Sequence, residues 1–340
     1  MPRSTAPTLI LVTPYLADAN NGNWRTAARW SRLLAPSFRA IVQAADVPVT
    51  GGRRDAAVAL IALHARRSAA AVAAWHEARP ERALVVALTG TDLYRDLPGQ
   101  DPAALASLAV ADRLIVLQED APSHLPSALR PQADVVFQSA RTLRPWPRKA
   151  RNRLHCLMVA HLREEKDPRT VFAAWRLLPP ELPITLSLIG AALDPSLGAA
   201  ANELAAVDPR VRWLGPRPHA WTRQAIRRAH LLVVPSRMEG GANVVVEAVT
   251  AGTPVAASRM SGNVGMLGGG YAGYFGVGDP VGLAALLERA CTDAAYRTLL
   301  QAQCAQRAPR FAPDAERESL EAAVANARAA ADLRAGRMAV

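Results

Sequence analysis

Pro235-Ser-Arg-Met-Glu239-Gly240-Gly241-Ala242-Asn243-Val-Val-Val-Glu247-Ala-Val-Thr-Ala-Gly252-Thr-Pro254-Val255 is the stretch that decides the fold. The apolar run Leu231–Pro235 before it has the length and composition of a buried strand. Two glycines then open a loop, a helical run follows, Gly252 stops it, and a new apolar run begins at Pro254. Strand, glycine loop, helix, strand is the unit from which parallel sheets are built. The same order carries chemistry. Gly240 and Gly241 let the backbone approach a ligand closely, and the N–H groups of Ala242, Asn243 and Val244 open the helix toward an anion. Glu247, a turn inside, is placed to accept from a diol, and Glu239, ahead of the helix, to reach a ligand hydroxyl.

Working outward, the alternation repeats along the chain. In the first half the pattern predicts strands at 8–13, 39–43, 58–64, 83–89, 113–117 and 135–138, and helices at 24–34, 67–78, 102–111 and 121–128. The segment 141–152 is basic, holds two prolines, has no apolar period and reads as a linker. Beyond it strands are expected at 154–160, 184–189, 211–214, 231–235, 254–257 and 273–275, with helices at 168–178, 195–206, 221–228, 243–251 and 280–291. Residues 314–333 form a last helix with acids early and arginines late, as the helix dipole prefers. The expected organisation is α/β: a Rossmann-like domain over 1–145, a second over 146–312, and a closing C-terminal helix over 313–340. Ligands in such sheets lie outside the carboxyl ends of the strands, so both domains are expected to face a central cleft.

Composition narrows the partners. The 340 residues are half apolar and one-fifth charged, an ordinary globular balance. No apolar run approaches the ~20 residues that cross a bilayer, and no secretory leader pattern opens the sequence. Three scattered cysteines, Cys156, Cys291 and Cys304, argue for reduced thiols in a cytoplasmic setting and against a structural zinc site. The net charge of +11 raises the question of nucleic acid, yet the arginines are dispersed and form no continuous stripe. Of the 40 Lys and Arg residues only Lys149 and Lys166 are lysines, so a lysine here is a marked choice.

Glu239 and Glu247, separated by seven residues and followed by Gly252-Thr-Pro-Val, resemble the paired glutamates and G-x-P-V run of the retaining GT-B glycosyltransferases of family 4. That resemblance implies Glu239 on donor-sugar hydroxyls, Glu247 on the ribose, and the Gly240–Asn243 amides on phosphate or sugar oxygens. Gly241 and Ala242 stand where the family usually has Phe and Gly. A second element of the family, G-R-L-x-x-x-K-G, is similar to Ala160-His-Leu-Arg-Glu-Glu-Lys166-Asp. Lys166 matches its lysine, His161 occupies the arginine position, and Arg163 is available as the second cation. Cleaving a sugar–phosphate bond builds charge on the departing diphosphate, and placed cations stabilise it. No carboxylate cluster has metal-ligand spacing, so neither a metal nor a cofactor is expected, the nucleotide sugar being a substrate. Ser261-Gly-Asn-Val-Gly265 reads as a further glycine loop at the same edge.

The first half offers three polar clusters at strand ends: Gly22-Asn23-Trp-Arg25-Thr, His64-Ala-Arg66-Arg67-Ser, and Thr89-Gly-Thr91-Asp92-Leu-Tyr-Arg. Arg25 sits in a first helical turn, where the dipole opposes it unless an anion is near. Together these clusters resemble the selenosugar synthases (SenB) of selenoneine biosynthesis, over nearly the whole chain. The resemblance implies a UDP-sugar, chiefly UDP-N-acetylglucosamine, reacting with selenophosphate to give a 1-seleno sugar, UDP and phosphate. On this reading Lys166, Glu239, His64 and Arg25 are the catalytic candidates. Gly22, Asn23, His161, Arg163, Gly240, Gly241, Ala242, Asn243 and Glu247 join the donor site. Arg25, His64, Arg66, Arg67, Thr91 and Asp92 hold the acceptor, a small anion suited to guanidinium donors. Two other readings stand beside it: transfer to a hydroxyl of a lipid or glycan, and a basic nucleic-acid binder without catalysis. Neither stable membrane insertion nor nucleic acid is expected.

Overall fold

The computed structural model describes residues 6–14, 16, 22–150 and 152–338, in two compact units. The first comprises 1–138 and 313–340, the second 139–312.

In the first unit β1 (Thr8–Thr13), α1 (Gly22–Leu34), β2 (Arg39–Ala44), β3 (Ala57–Leu63), α2 (Ala69–Ala78), β4 (Ala83–Ala87), α3 (Pro102–Val110), β5 (Arg113–Val116) and β6 (Ala133–Val135) follow in turn. The six strands are parallel, in the order β2-β1-β3-β4-β5-β6. A parallel sheet is covered on both faces, so its strands read as continuous apolar runs. Alternate side chains go to opposite cores: Ile10, Leu60, Leu84 and Val86 pack with Trp75 of α2, and Leu9, Leu11, Ile61 and Val85 with Trp30 of α1.

The last helix, Pro313–Met338, belongs to this unit. Leu320, Ala323, Val324, Ala327 and Ala331, spaced for one helical face, join the Trp30 core. Glu316, in the first turn of the same helix, is buried and accepts from Trp30 Nε1 at 2.7 Å and from Arg29 Nε at 2.9 Å, while Arg334 pairs with Asp112. The helix expected over 121–128 is absent. Two short 3-10 turns, Ala121–His124 and Ser127–Gln132, stand there, because Pro122, Pro126 and Pro131 remove the donors a continuous helix needs. The ladder expected at 135–138 lies at Ala133–Val135.

The second unit runs β7 (Leu154–Val159), α4 (Pro168–Leu177), β8 (Ile184–Ile189), α5 (Pro195–Val207), β9 (Val211–Trp213), α6 (His219–Arg228), β10 (Leu231–Val234), α7 (Asn243–Val249), β11 (Val255–Ser258), α8 (Ser261–Leu267), β12 (Tyr274–Phe275), α9 (Pro280–Thr292) and α10 (Ala294–Arg307). Its parallel strands take the order β12-β11-β10-β7-β8-β9. Asp-Pro pairs start three of its helices: Asp167, Asp194 and Asp279 cap α4, α5 and α9, each with proline in the first turn. Two helices were not expected. Ser261–Leu267 was read as a loop on its glycines, and Ala294–Arg307 was assigned no element; Asp293 caps the latter and Tyr296, Leu300 and Cys304 bury one face. All three cysteines are free. Among the described residues no helix is long and apolar enough to cross a membrane.

Candidate functional site

In the second unit the strand order reverses between β7 and β10, and ligands of open α/β sheets sit in the crevice outside such a switch point. The loops that leave β7 and β10 there are 160–167 and 235–242. They are tied to each other. Arg237 donates its backbone N–H to Glu165 O at 2.9 Å and its Nε lies 3.0 Å from Asp167 Oδ2. Lys166 Nζ reaches Glu239 Oε1 at 2.5 Å, and Ser236 Oγ donates to the same oxygen at 2.7 Å. Asp167 holds a left-handed backbone (φ 43°) while capping α4 through Thr170, which fixes the turn that presents Lys166. Gly190 supports the approach to that turn, since a Cβ there would fall 1.9 Å from Ala160 O.

A lysine and a glutamate meeting at a switch-point crevice form a paired acceptor and donor for a hydroxylated anion. The ammonium retains N–H groups for an incoming phosphoryl oxygen, and the carboxylate retains lone pairs for sugar hydroxyls. Of the cations expected to neutralise a diphosphate, Lys166 is the one in contact with Glu239. His161 is exposed and accepts the Ala191 N–H at Nδ1 (3.1 Å), and exposed Arg163 leans on Glu165 at 3.7 Å.

Glu239, Gly240 and Ala242 are buried, and Gly241 and Asn243 are half-buried. One expectation about the amide cradle needs correction: the Ala242 N–H is directed to Met266 Sδ at 3.1 Å, so it turns inward and does not face an anion. Glu247 is buried on α7, with His219 Nε2 2.5 Å from its Oε1. His219 opens α6 and was not singled out from sequence; the signal available was a histidine at a helix start after Gly215-Pro-Arg-Pro. Ser236, Arg237 and Asp167 were missed as well. The 261–265 stretch proves to be the start of α8, with Asn263 fully buried and donating to Ser258.

In the first unit the strand order reverses between β1 and β3. His64 leaves β3 there, fully enclosed and with φ 73°, a conformation uncommon for a non-glycine residue. Its Nδ1 lies 2.7 Å from Asp92 Oδ1, an ion-pair separation without hydrogen-bond alignment, and its Nε2 has no hydrogen-bond partner among the described residues. Asp92, also buried, begins a π-helical turn, Asp92–Asp96, and accepts from Thr89 N–H (2.7 Å) and Oγ1 (2.8 Å). Left-handed residues and π-turns gather at functional sites, where surrounding structure holds the strain.

Arg66, expected on the acceptor, is instead committed to carboxylates. Its Nε is 2.9 Å from Asp96 Oδ2 and 3.8 Å from Asp101, and the Asp96 pairing raises its pKa. Burial pushes the Asp96 carboxyl up, but the Arg66 and Arg95 guanidiniums outweigh it and hold it below the usual range. Arg67 is exposed, and Thr91 is half-buried just before the π-turn. Gly22, Asn23 and Arg25 lie in the first turn of α1, which carries no acid; Gly22 is exposed and the other two half-buried. Residues 15 and 17–21, ahead of them in the chain, lie outside the described residues. His64, Asp92 and Asp96 offer donor atoms within 4.8 Å of one another. Arg66 and Arg95 both pair with Asp96, so two guanidiniums already stand against one member of that set.

Each unit is a six-stranded parallel sheet with covering helices, and two such units in succession are the α/β organisation of the GT-B fold. Residues 153–293 match the family model described as Glycosyl transferases group 1. The chain is 35% identical over 106 residues to D-inositol 3-phosphate glycosyltransferase of Corynebacterium kroppenstedtii, covering 31% of this chain and 24% of that one. It is 31% identical over 221 residues to D-inositol 3-phosphate glycosyltransferase 1 of Catenulispora acidiphila, covering 59% and 51%. It thus spans about a quarter and about half of the length of these curated relatives. Among solved structures it is similar to Anabaena HepE in complex with UDP and glucose (TM-score 0.74, 16% identity, 94% of this chain and 99% of that one). It is also similar to sucrose-phosphate synthase from Thermosynechococcus elongatus (TM-score 0.73, 15% identity, 93% and 98%).

Proposed function

We propose that this protein is a glycosyltransferase that takes its sugar from a UDP-sugar, with the second unit as donor domain. The observation that carries this is the Lys166–Glu239 contact at the β7/β10 switch point, inside the stretch that matches the glycosyl transferases of group 1. Lys166 stabilises charge on the leaving diphosphate, Glu239 orients the sugar, and Glu247 receives the ribose. UDP in the similar HepE structure supports the choice of nucleotide.

The finer reading is transfer to selenophosphate, with UDP-N-acetylglucosamine as donor. A selenium lone pair attacks the anomeric carbon, the carbon–oxygen bond to the diphosphate breaks, and UDP leaves with that pair. Water then attacks phosphorus, the phosphorus–selenium bond breaks, and selenium keeps its electrons as the 1-seleno sugar while phosphate departs. Selenium needs little base assistance, so positioning and leaving-group stabilisation supply the rate. The motifs at 22–26, 64–68 and 89–95 support this reading. Transfer to a hydroxyl is the second reading, favoured by His64: an imidazole with Nδ1 2.7 Å from Asp92 and an Nε2 without a hydrogen-bond partner among the described residues is a candidate general base. The relatives named for D-inositol 3-phosphate make a phosphorylated polyol the first such acceptor to try.

The test is UDP release from UDP-N-acetylglucosamine with selenophosphate or inositol 3-phosphate. Turnover with selenophosphate alone is expected; turnover with inositol phosphate alone selects the second reading, and release with neither across a donor panel overturns both. His64→Asn separates them further, since it should slow a hydroxyl acceptor by about 10²-fold or more and selenophosphate attack far less. In calorimetry Glu247→Ala should weaken UDP binding about tenfold or more, the loss of one or two hydrogen bonds to a charged group. Glu239→Gln should leave UDP affinity nearly intact and reduce turnover of the sugar nucleotide.

A further inference from the structure

We propose that the second unit carries a second anion site, at the opposite edge of its sheet from the donor crevice, built to hold a pyrophosphoryl group. A cavity of about 450 Å³ opens there, lined by Arg148, Lys149, Arg153 and Arg228, with the rings of His155 and His230 as a wall. Among the described residues no carboxylate lines it. His155 is the second residue of β7 and His230 immediately precedes β10, so the pocket lies at the amino ends of the strands whose carboxyl ends bear Lys166 and Glu239. The six residues of β7, at about 3.3 Å each, put about 20 Å of strand between the two edges. The pocket is therefore no part of the donor crevice.

Its construction is specific. His230 is held at both nitrogens: Nδ1 accepts the His155 N–H at 2.9 Å, and Nε2 donates to Ala150 O at 2.8 Å. That ring ties Ala150 to the sheet. His155 Nε2 is 3.0 Å from Ser187 Oγ, and burial pulls its pKa down to about 4, so both rings are neutral wall and not charge. Trp146 lies under two guanidiniums, of Arg227 at 5.0 Å and Arg228 at 4.8 Å from its ring centre, which fixes the Arg228 direction.

Lys149 is the decisive group. It is one of two lysines in a chain that otherwise uses arginine, and it is recessed, with the Thr253 hydroxyl at 3.5 Å as its one hydrogen-bonding contact among the described residues. Burial with no carboxylate beside it pulls its pKa down to about 8. A recessed cation gathered with three arginines and no acid costs folding free energy, and an oxyanion relieves that cost. Guanidinium forks and an ammonium point charge are the usual recognition set for phosphoryl oxygens. The volume exceeds one phosphate and lies in the range of small-ligand pockets, which favours a diphosphate bearing an organic group.

The experiment uses the full chain and inorganic pyrophosphate as probe, by calorimetry at low salt with saturating UDP present. One equivalent of pyrophosphate should still bind. Lys149→Met should weaken it about tenfold or more, the worth of a charge-assisted contact, while keeping or raising the melting temperature. Arg153→Gln should weaken it as well, and Lys166→Met should not, which keeps failure at the donor crevice distinct from failure here. Co-sedimentation with phosphatidylcholine vesicles containing phosphatidylglycerol separates the source of the phosphoryl group: Lys149-dependent sedimentation assigns it to a lipid headgroup, none to a soluble ligand. No pyrophosphate binding beside UDP, or binding unchanged in both Lys149→Met and Arg153→Gln, overturns the proposal.

Discussion

Lys166→Met is expected to lower turnover of a UDP-sugar by a factor of about 10²–10³, the usual cost of deleting one preorganised group that stabilises transition-state charge. The variant should fold, because methionine keeps the aliphatic stem and the turn is held by Asp167, not by the ammonium. Its effect should fall on turnover more than on UDP affinity, since charge on the diphosphate is greatest as the sugar bond breaks. A complication is that Glu239 loses its cation and retains only Ser236 as a described hydrogen-bond donor. Leaving one member of a buried pair alone is destabilising, whereas removing both is not. The double variant Lys166→Met/Glu239→Gln should therefore regain thermal stability relative to Lys166→Met without regaining activity. Single-turnover UDP release and a melting curve on the same three samples check both statements. Wild-type turnover in Lys166→Met would remove the donor-site assignment.

The sequence held much of this because the relevant physics is local. Of the five Asp-Pro pairs, those at 101–102, 167–168, 194–195 and 279–280 begin helices by cap chemistry and fixed φ, while Asp208-Pro209 turns the chain into β9. The strands buried on both faces are unbroken apolar runs, which the eye finds at once. At 121–132 composition and proline chemistry oppose each other: the segment has helical composition, but Pro122, Pro126 and Pro131 remove the donors. What escaped was whatever depends on two distant segments meeting. That Ala242 points its amide at Met266, that His219 sits on Glu247, and that Arg66 spends its charge on Asp96 are contacts between residues 24, 28 and 30 positions apart. No period or motif encodes them. The stretch at 261–265 is the clearest instance, because its glycines suggest a turn, whereas Gly262 lies in α8 and is packed against Glu239.

Gly262→Ala puts that last point to a severe test, because local propensity and tertiary packing predict opposite signs. Gly262 lies in α8, where alanine is favoured over glycine by about 1 kcal/mol, so helix propensity alone predicts a more stable protein. A Cβ at this position, however, falls 1.9 Å from the carbonyl oxygen of Glu239 and 2.9 Å from its carbonyl carbon. Both are backbone atoms, so no side-chain rotation relieves the overlap, and the 236–242 loop has to move by an ångström or more. Overpacking of this kind costs about 1–3 kcal/mol, which exceeds the propensity gain. The displaced loop also carries Glu239 away from Lys166, and a misplacement of about 1 Å in a reacting constellation costs about 10²-fold in rate. The expected result is a lowered melting temperature together with UDP-sugar turnover reduced about 10²-fold. Gly270→Ala is the control: no atom lies within 4 Å of its Cβ position, so stability and rate should stay near wild type. A Gly262→Ala protein more stable than wild type and fully active would mean that α8 does not pack against the Glu239 loop, and the support assigned to that loop would fall with it.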